Sequence, residues 1–174
     1  HSHTHEYLLN FSHVEFEKDI KNSVRIFKEK LGQNSIFFSY PFGEYNLKQL
    51  NFIKENFKYG FGQHSGVIDL TKNRYELPRF PINEKYGDLE RFEFLLKLHP
   101  IPYKNLRPKD KFINKKQNPP IVEIDFFEDQ KNIRNINCFS NEGNEWRSPI
   151  MKFKENTLEI NFREKFTFRR GRVN

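Results

Sequence analysis

One cysteine, Cys138, in 174 residues excludes a disulfide framework and a thiolate metal cluster; alone it reads as a small buried apolar residue and leaves the redox compartment undetermined. Long apolar runs are also missing. None approaches the roughly 18 to 20 residues that a membrane-crossing helix needs, and no stretch within these residues has the form of a signal peptide. There is no internal repeat and no low-complexity segment. The single tryptophan, Trp146, reads as core or interface anchor rather than as a ligand platform. What fills the interior instead is phenylalanine and tyrosine, 20 and 7 of them, in a chain long enough for one ordinary core or for two small ones.

A balance of charge is lacking in only one part. Residues 1 to 99 carry 14 basic against 13 acidic side chains and residues 100 to 174 carry 16 against 10, so nearly all of the net +7 is C-terminal. The densest run is Arg163, Lys165, Arg169, Arg170 and Arg172. Such a run suits an anionic surface, nucleic acid included, or a solvated strand edge protected by charge. No RNA-binding or helix-turn-helix signature accompanies it, which favours the strand edge.

Histidine is concentrated at the start, as His1-Ser2-His3-Thr4-His5. Neutral imidazole suits zinc, nickel, cobalt and iron, and positions 1 and 5 share a face of a helical turn. The residues alone leave three readings open: metal binding, a purification remnant and a surface loop.

Further along, Ser12-His13-Val14-Glu15 has the form of a capping box, followed by Phe16, Ile20, Val24, Phe27 and Leu31 at helical spacing and stopped by Gly32. This predicts an amphipathic helix over 12–31, with His13 exposed in its first turn. Residues 34–40, with Ile36, Phe37 and Phe38, fit a buried strand that runs into a tight Pro41-Phe42-Gly43 loop. Asn46 can cap a second helix carrying Leu50, Ile53 and Phe57, and Tyr59-Gly60-Phe61 begins another strand. Strand and helix alternate, as in an α/β barrel or layered sheet. Asp88 caps a third helix with Leu89, Phe92, Leu95 and Leu96 inward, and the prolines from Pro100 to Pro120 mark its end and a linker.

From Ile121 the period changes to two. Ile121 to Phe126, Ile133 to Cys138, Leu158 to Phe162 and Phe166 with Phe168 read as strands, with a turn at Asn141-Glu142-Gly143-Asn144. The expected organisation is an α/β region over 1–103, a linker over 104–120 and a small antiparallel, sandwich-like β module over 121–174.

Four segments carry a resemblance. His1-Ser2-His3-Thr4-His5 is similar to the H-[S/T]-x-x-H motif of the polysaccharide deacetylases of carbohydrate esterase family 4, the NodB homology domain. Residues 38–46, Phe-Ser-Tyr-Pro-Phe-Gly-Glu-Tyr-Asn, resemble that family's strand-end Y-P-[FY]-G-x-Y-N segment. Residues 61–66 and Leu77-Pro78-Arg79-Phe80-Pro81 look like the poly-N-acetylglucosamine deacetylase branch. The resemblance implies a partial distorted (β/α) barrel that hydrolyses N-acetyl groups of an N-acetylhexosamine polysaccharide with one divalent metal, zinc ahead of nickel, cobalt or iron. It implies His1 and His5 as metal ligands, the backbone N–H of Phe42 as oxyanion donor, and Tyr40 and Pro41 as a sugar-facing wall. It also implies an extracellular, periplasmic or envelope location.

Two departures shape the expectation. The family's Thr-Phe-Asp-Asp motif, which supplies the general base and a carboxylate ligand, has no counterpart before His1, so the chain reads as the C-terminal portion of a larger enzyme, inactive without an associated missing segment. Ser39 stands where many members have an arginine. Arg79, fixed between two prolines and an aromatic, is the candidate to orient the base carboxylate in its place, against a plain loop arginine paired to a structural acid. For a general acid, His64 in its glycine-flanked turn is preferred to His99, which reads as a helix C-terminal histidine. A non-catalytic carbohydrate-binding or surface-assembly protein, and a nucleic-acid module built on the arginine-rich tail, are the alternatives.

Overall fold

A computed structural model describes residues 1–128, 133–167 and 172–173. It divides into two compact units, His1–Pro100 and Ile101–Asn174. No described helix is long and apolar enough to cross a membrane.

The first unit is α/β. Helix α1 (His13–Leu31) starts at Ser12, whose side chain accepts from the Glu15 N–H while Glu15 reaches back to the Ser12 N–H, and it ends at Gly32 in the left-handed region at φ 68. Sequence signals therefore set both of its ends. Strand β1 (Phe37–Ser39) leads through the Pro41–Gly43 turn into α2 (Leu47–Asn56), capped by an Asn46–Gln49 box, and β2 (Tyr59–Phe61) returns parallel to β1 with Phe37 opposite Tyr59. Alternation along the pair puts Phe38 in the core, where it joins Phe16 and Ile20 of α1 and Leu50, Phe52 and Ile53 of α2. Each such side chain contributes about 1.5 to 3 kcal/mol when fully buried. On the other face the Phe37 and Tyr59 rings stack with centroids 5.6 Å apart, and Phe37 stays half exposed. Gly60 is required in β2, since a Cβ there would lie 2.7 Å from the Tyr75 carbonyl oxygen.

The parallel sheet of the described residues has two strands, extended by an isolated bridge between Phe61 and Leu77, and does not close into a barrel. Helix α3 (Leu89–Leu96) forms behind its Asp88 cap, but its expected inward face is not covered: none of its residues is buried, and Leu89 and Leu96 are 69% and 70% exposed. Apolar spacing fixed the helix and could not supply a surface for it to pack on.

The second unit is antiparallel. Strands β3 (Asn105–Arg107), β4 (Ile121–Asp125), β5 (Ser140–Glu142), β6 (Glu145–Arg147), β7 (Ile150–Lys154), β8 (Thr157–Asn161) and β9 (Arg172–Val173) form two sheets, in the orders β3-β4-β8-β7 and β6-β5-β9. Strand β3 lies within the segment expected as linker. The β5–β6 turn places Gly143 and Asn144 both at positive φ, the two-residue geometry that suits the twist of a hairpin. Ile133–Cys138 is not the expected strand: Ile133–Asn135 is a single 3-10 turn, although Ile133 and Cys138 do reach the core with Leu158, Ile160 and Phe162. Trp146 is half exposed on β6 rather than in the core. In the arginine-rich run Arg163 and Lys165 are exposed and Arg172 pairs through its backbone in β9, while Arg169, Arg170 and the neighbouring Phe168 lie outside the described residues.

Candidate functional site

The first five residues form a loop whose amide N–H groups from Ser2 to His5 all find an acceptor, and whose first carbonyl is also bonded. Asp19, buried on α1, accepts from the His3 N–H at 2.8 Å and the Thr4 N–H at 3.1 Å. Ser23, one helical turn further on, donates to the His1 carbonyl. Ser2 is buried and its hydroxyl accepts from the His5 N–H at 3.2 Å. Those bonds hold His5 at φ 60, where a non-glycine residue carries strain on the order of 1 to 3 kcal/mol. The outcome is that the His1 and His5 rings stack, with centroids 4.6 Å apart and planes 21° from parallel.

Against this pair sits the Tyr40–Gly43 turn. Its bond from the Gly43 N–H to the Tyr40 carbonyl, with Pro41 followed by Phe42 at φ 56 and ψ 4, is a type II arrangement in which phenylalanine occupies the place usually given to glycine. The Phe42 ring meets His5 edge-on at 5.0 Å and Tyr7 at 4.2 Å. Gly43, at φ 71, approaches the next loop so closely that a Cβ would fall 2.6 Å from the Gln63 nitrogen. In that loop the His64 carbonyl accepts from the Arg79 N–H at 3.0 Å, so the His64 and Arg79 loops are joined by backbone. Both side chains are exposed, and no bond from the Arg79 guanidinium is found among the described residues.

Tyr40 and Pro41, expected on a sugar-facing wall, are both in the interior. Tyr40 is 0% exposed, stacks on Tyr45 at 4.4 Å and donates its hydroxyl to the Tyr75 carbonyl. Burial, with the Glu76 charge adding to it, pushes its phenol well above the usual range, so Tyr40 stays protonated. His13, by contrast, is exposed in the first turn of α1 and pairs with Glu17. His99 follows α3, three residues beyond Leu96.

As metal donors, His1 and His5 have the right chemistry and adjacency for two positions. His1 Nδ1 accepts from the Ser2 N–H at 3.1 Å, a contact the ring must give up to ligate through either nitrogen. No group of three His, Cys, Asp or Glu side chains poised for a metal is found among the described residues, so the pair fits two of the three protein ligands a catalytic zinc usually takes. Asp19 was not singled out from the sequence. Its signal was there: an acid three residues after Phe16 and next to Ile20, on the apolar face of α1 that also carries those two side chains.

A family model described as polysaccharide deacetylase matches residues 1–59. The matched span contains the His loop, α1, β1, the Tyr40–Gly43 turn and α2, and it ends before His64 and Arg79. A search of curated proteins finds no match.

Proposed function

We propose that the chain serves metal-dependent hydrolysis of N-acetyl groups from an N-acetylhexosamine polysaccharide, of the poly-N-acetylglucosamine type. One observation carries the reading: within the span that matches the deacetylase family, the stacked His1 and His5 imidazoles and the strained Phe42 turn are in ring contact. His1 and His5 are two ligands of a divalent ion, zinc first. Such an ion supplies Lewis acidity toward an amide carbonyl and a nucleophile near neutral pH.

The chain's own groups do the rest. The Phe42 N–H is the oxyanion donor, a role worth about 3 to 4 kcal/mol of barrier. Tyr7 and Phe42, beside His5, are the rings a sugar meets. Arg79 orients the base carboxylate through a bidentate contact, and His64 on the joined loop protonates the leaving amine. The family's Asp-Asp motif, which supplies the base and the carboxylate ligand, has no counterpart within residues 1–174. A substrate of this class places the protein at the envelope, in the periplasm or outside the cell.

Acetate release from an N-acetylglucosamine oligomer, with Zn2+ added and with a segment bearing two adjacent aspartates supplied, tests the reading. Release that is lost in His5→Ala supports it. Tight binding of the oligomer with no acetate formed under those conditions overturns it, in favour of a non-catalytic carbohydrate-binding protein.

A further inference from the structure

A buried carboxylate is costly unless hydrogen bonds compensate it, so the use to which one is put is informative. Asp19 is 5% exposed, and both of its oxygens go to the same short stretch: Oδ2 to the His3 N–H and Oδ1 to the Thr4 N–H, the two residues before His5. A carboxylate that accepts two consecutive backbone N–H groups makes charge-assisted bonds about twice as strong as neutral ones. Ser23 lies four residues on, on the same face of α1, and takes the His1 carbonyl. One helix face therefore grips the loop from both sides of Ser2, and Ser2 closes it onto His5.

We propose that Asp19 is the positioning residue of the imidazole pair: through the His3 and Thr4 amides it holds the loop in the one conformation that stacks His5 against His1. The proposal builds on the metal site described above, and touches neither substrate nor reacting atoms. Without Asp19, two N–H donors lose their partner, the positive φ of His5 is no longer over-determined, and the two rings separate. An ion would then have to pay the ordering entropy of the loop on binding.

The experiment uses the 174-residue chain and three variants, Asp19→Asn, Asp19→Ala and Asp19→Glu. In the absence of metal, the imidazole proton and carbon signals of His1 and His5 are compared with the methyl signals of Ile20 and Ile53, which report the core. Zn2+ alone is then titrated by calorimetry. The expected result is that Asp19→Asn, which keeps the volume and one acceptor, leaves the core signals in place, collapses the shift difference of the two imidazoles, and weakens Zn2+ binding by about 10- to 100-fold. Asp19→Glu, which keeps both acceptors, should recover part of the loss. Unchanged imidazole signals in a folded Asp19→Asn chain overturn the proposal. If the wild type binds no Zn2+, the metal reading fails, and the imidazole signals still decide the role of Asp19. Should Asp19→Ala fail to fold, Asp19→Asn carries the test.

Discussion

The ring of His5 meets the ring of Phe42 edge-on at 5.0 Å, and both residues hold a positive φ, 60° and 56°. Two bulky residues in the left-handed region, in contact with each other and drawn from segments far apart in the chain, are unusual, because a Cβ there costs about 1 to 2 kcal/mol per residue. Such strain persists only where its surroundings over-determine it. Here the surroundings are Ser2 and Asp19 on one side and the Tyr40–Gly43 bond on the other.

The strain at Phe42 gives a comparison of two variants. Phe42→Ala loses the ring and keeps the unfavourable φ, whereas Phe42→Gly loses the ring and relieves it. Phe42→Gly should be the more stable of the two by about 1 kcal/mol in urea unfolding. Equal midpoints would mean that residue 42 does not hold a left-handed conformation in solution.

Gly43 and Gly32 separate backbone strain from crowding. Both have positive φ, 71 and 68, but a Cβ on Gly32 meets nothing within 4 Å while one on Gly43 lies 2.6 Å from the Gln63 nitrogen. Gly32→Ala should cost about 1 kcal/mol. Gly43→Ala carries that cost and must also push two backbone loops apart, so its loss should reach about 2 to 4 kcal/mol. Similar losses in the two variants would contradict the close approach of the Gly43 and Gln63 loops.

How far these features could be read in advance depends on the kind of signal. Helix α1 was legible at both ends because caps are local chemistry: Ser12, Glu15 and Gly32 suffice. The fate of α3 was not, because its Asp88 cap and apolar spacing say nothing about what covers Leu89 and Leu96. Ile133, Ile136 and Cys138 were misread as a strand, although the step of three from 133 to 136 cannot keep one face of a two-residue period. The His pair was legible as a pair. Asp19 was not linked to it, since a hydrogen bond to residues 15 and 16 positions away leaves no periodicity.

Acid should weaken the second unit chiefly through Asp125, whose shift is larger than that of Glu159. The Arg107 guanidinium first, and the Thr157 hydroxyl next, hold the Asp125 carboxyl far below the usual carboxylate range. A depressed folded value means that the contribution is complete above the unfolded pKa, about 3.9 for an aspartate, and is lost as pH falls through the folded value. The urea midpoint of the protein should therefore fall as pH drops below about 4, and in Asp125→Asn that fall should be shallower. An equally steep acid limb in the variant would show that Asp125 is not the group responsible.

Tyr40 offers a direct choice between a core role and a sugar-facing one. Alternation already pairs it with Phe38, two residues earlier on the same side, and the two rings meet edge-on in the core at 5.3 Å. Tyr40→Phe keeps the ring and removes only the hydroxyl that donates to the Tyr75 carbonyl, leaving that carbonyl unsatisfied. The cost should be about 1 to 3 kcal/mol of stability, measured by urea unfolding. Affinity for an N-acetylglucosamine oligomer should not change, because the hydroxyl has no surface to offer it. A variant with full stability and weakened oligomer binding would instead place Tyr40 on the wall of the site, and would require the Tyr40–Gly43 turn to open when substrate arrives.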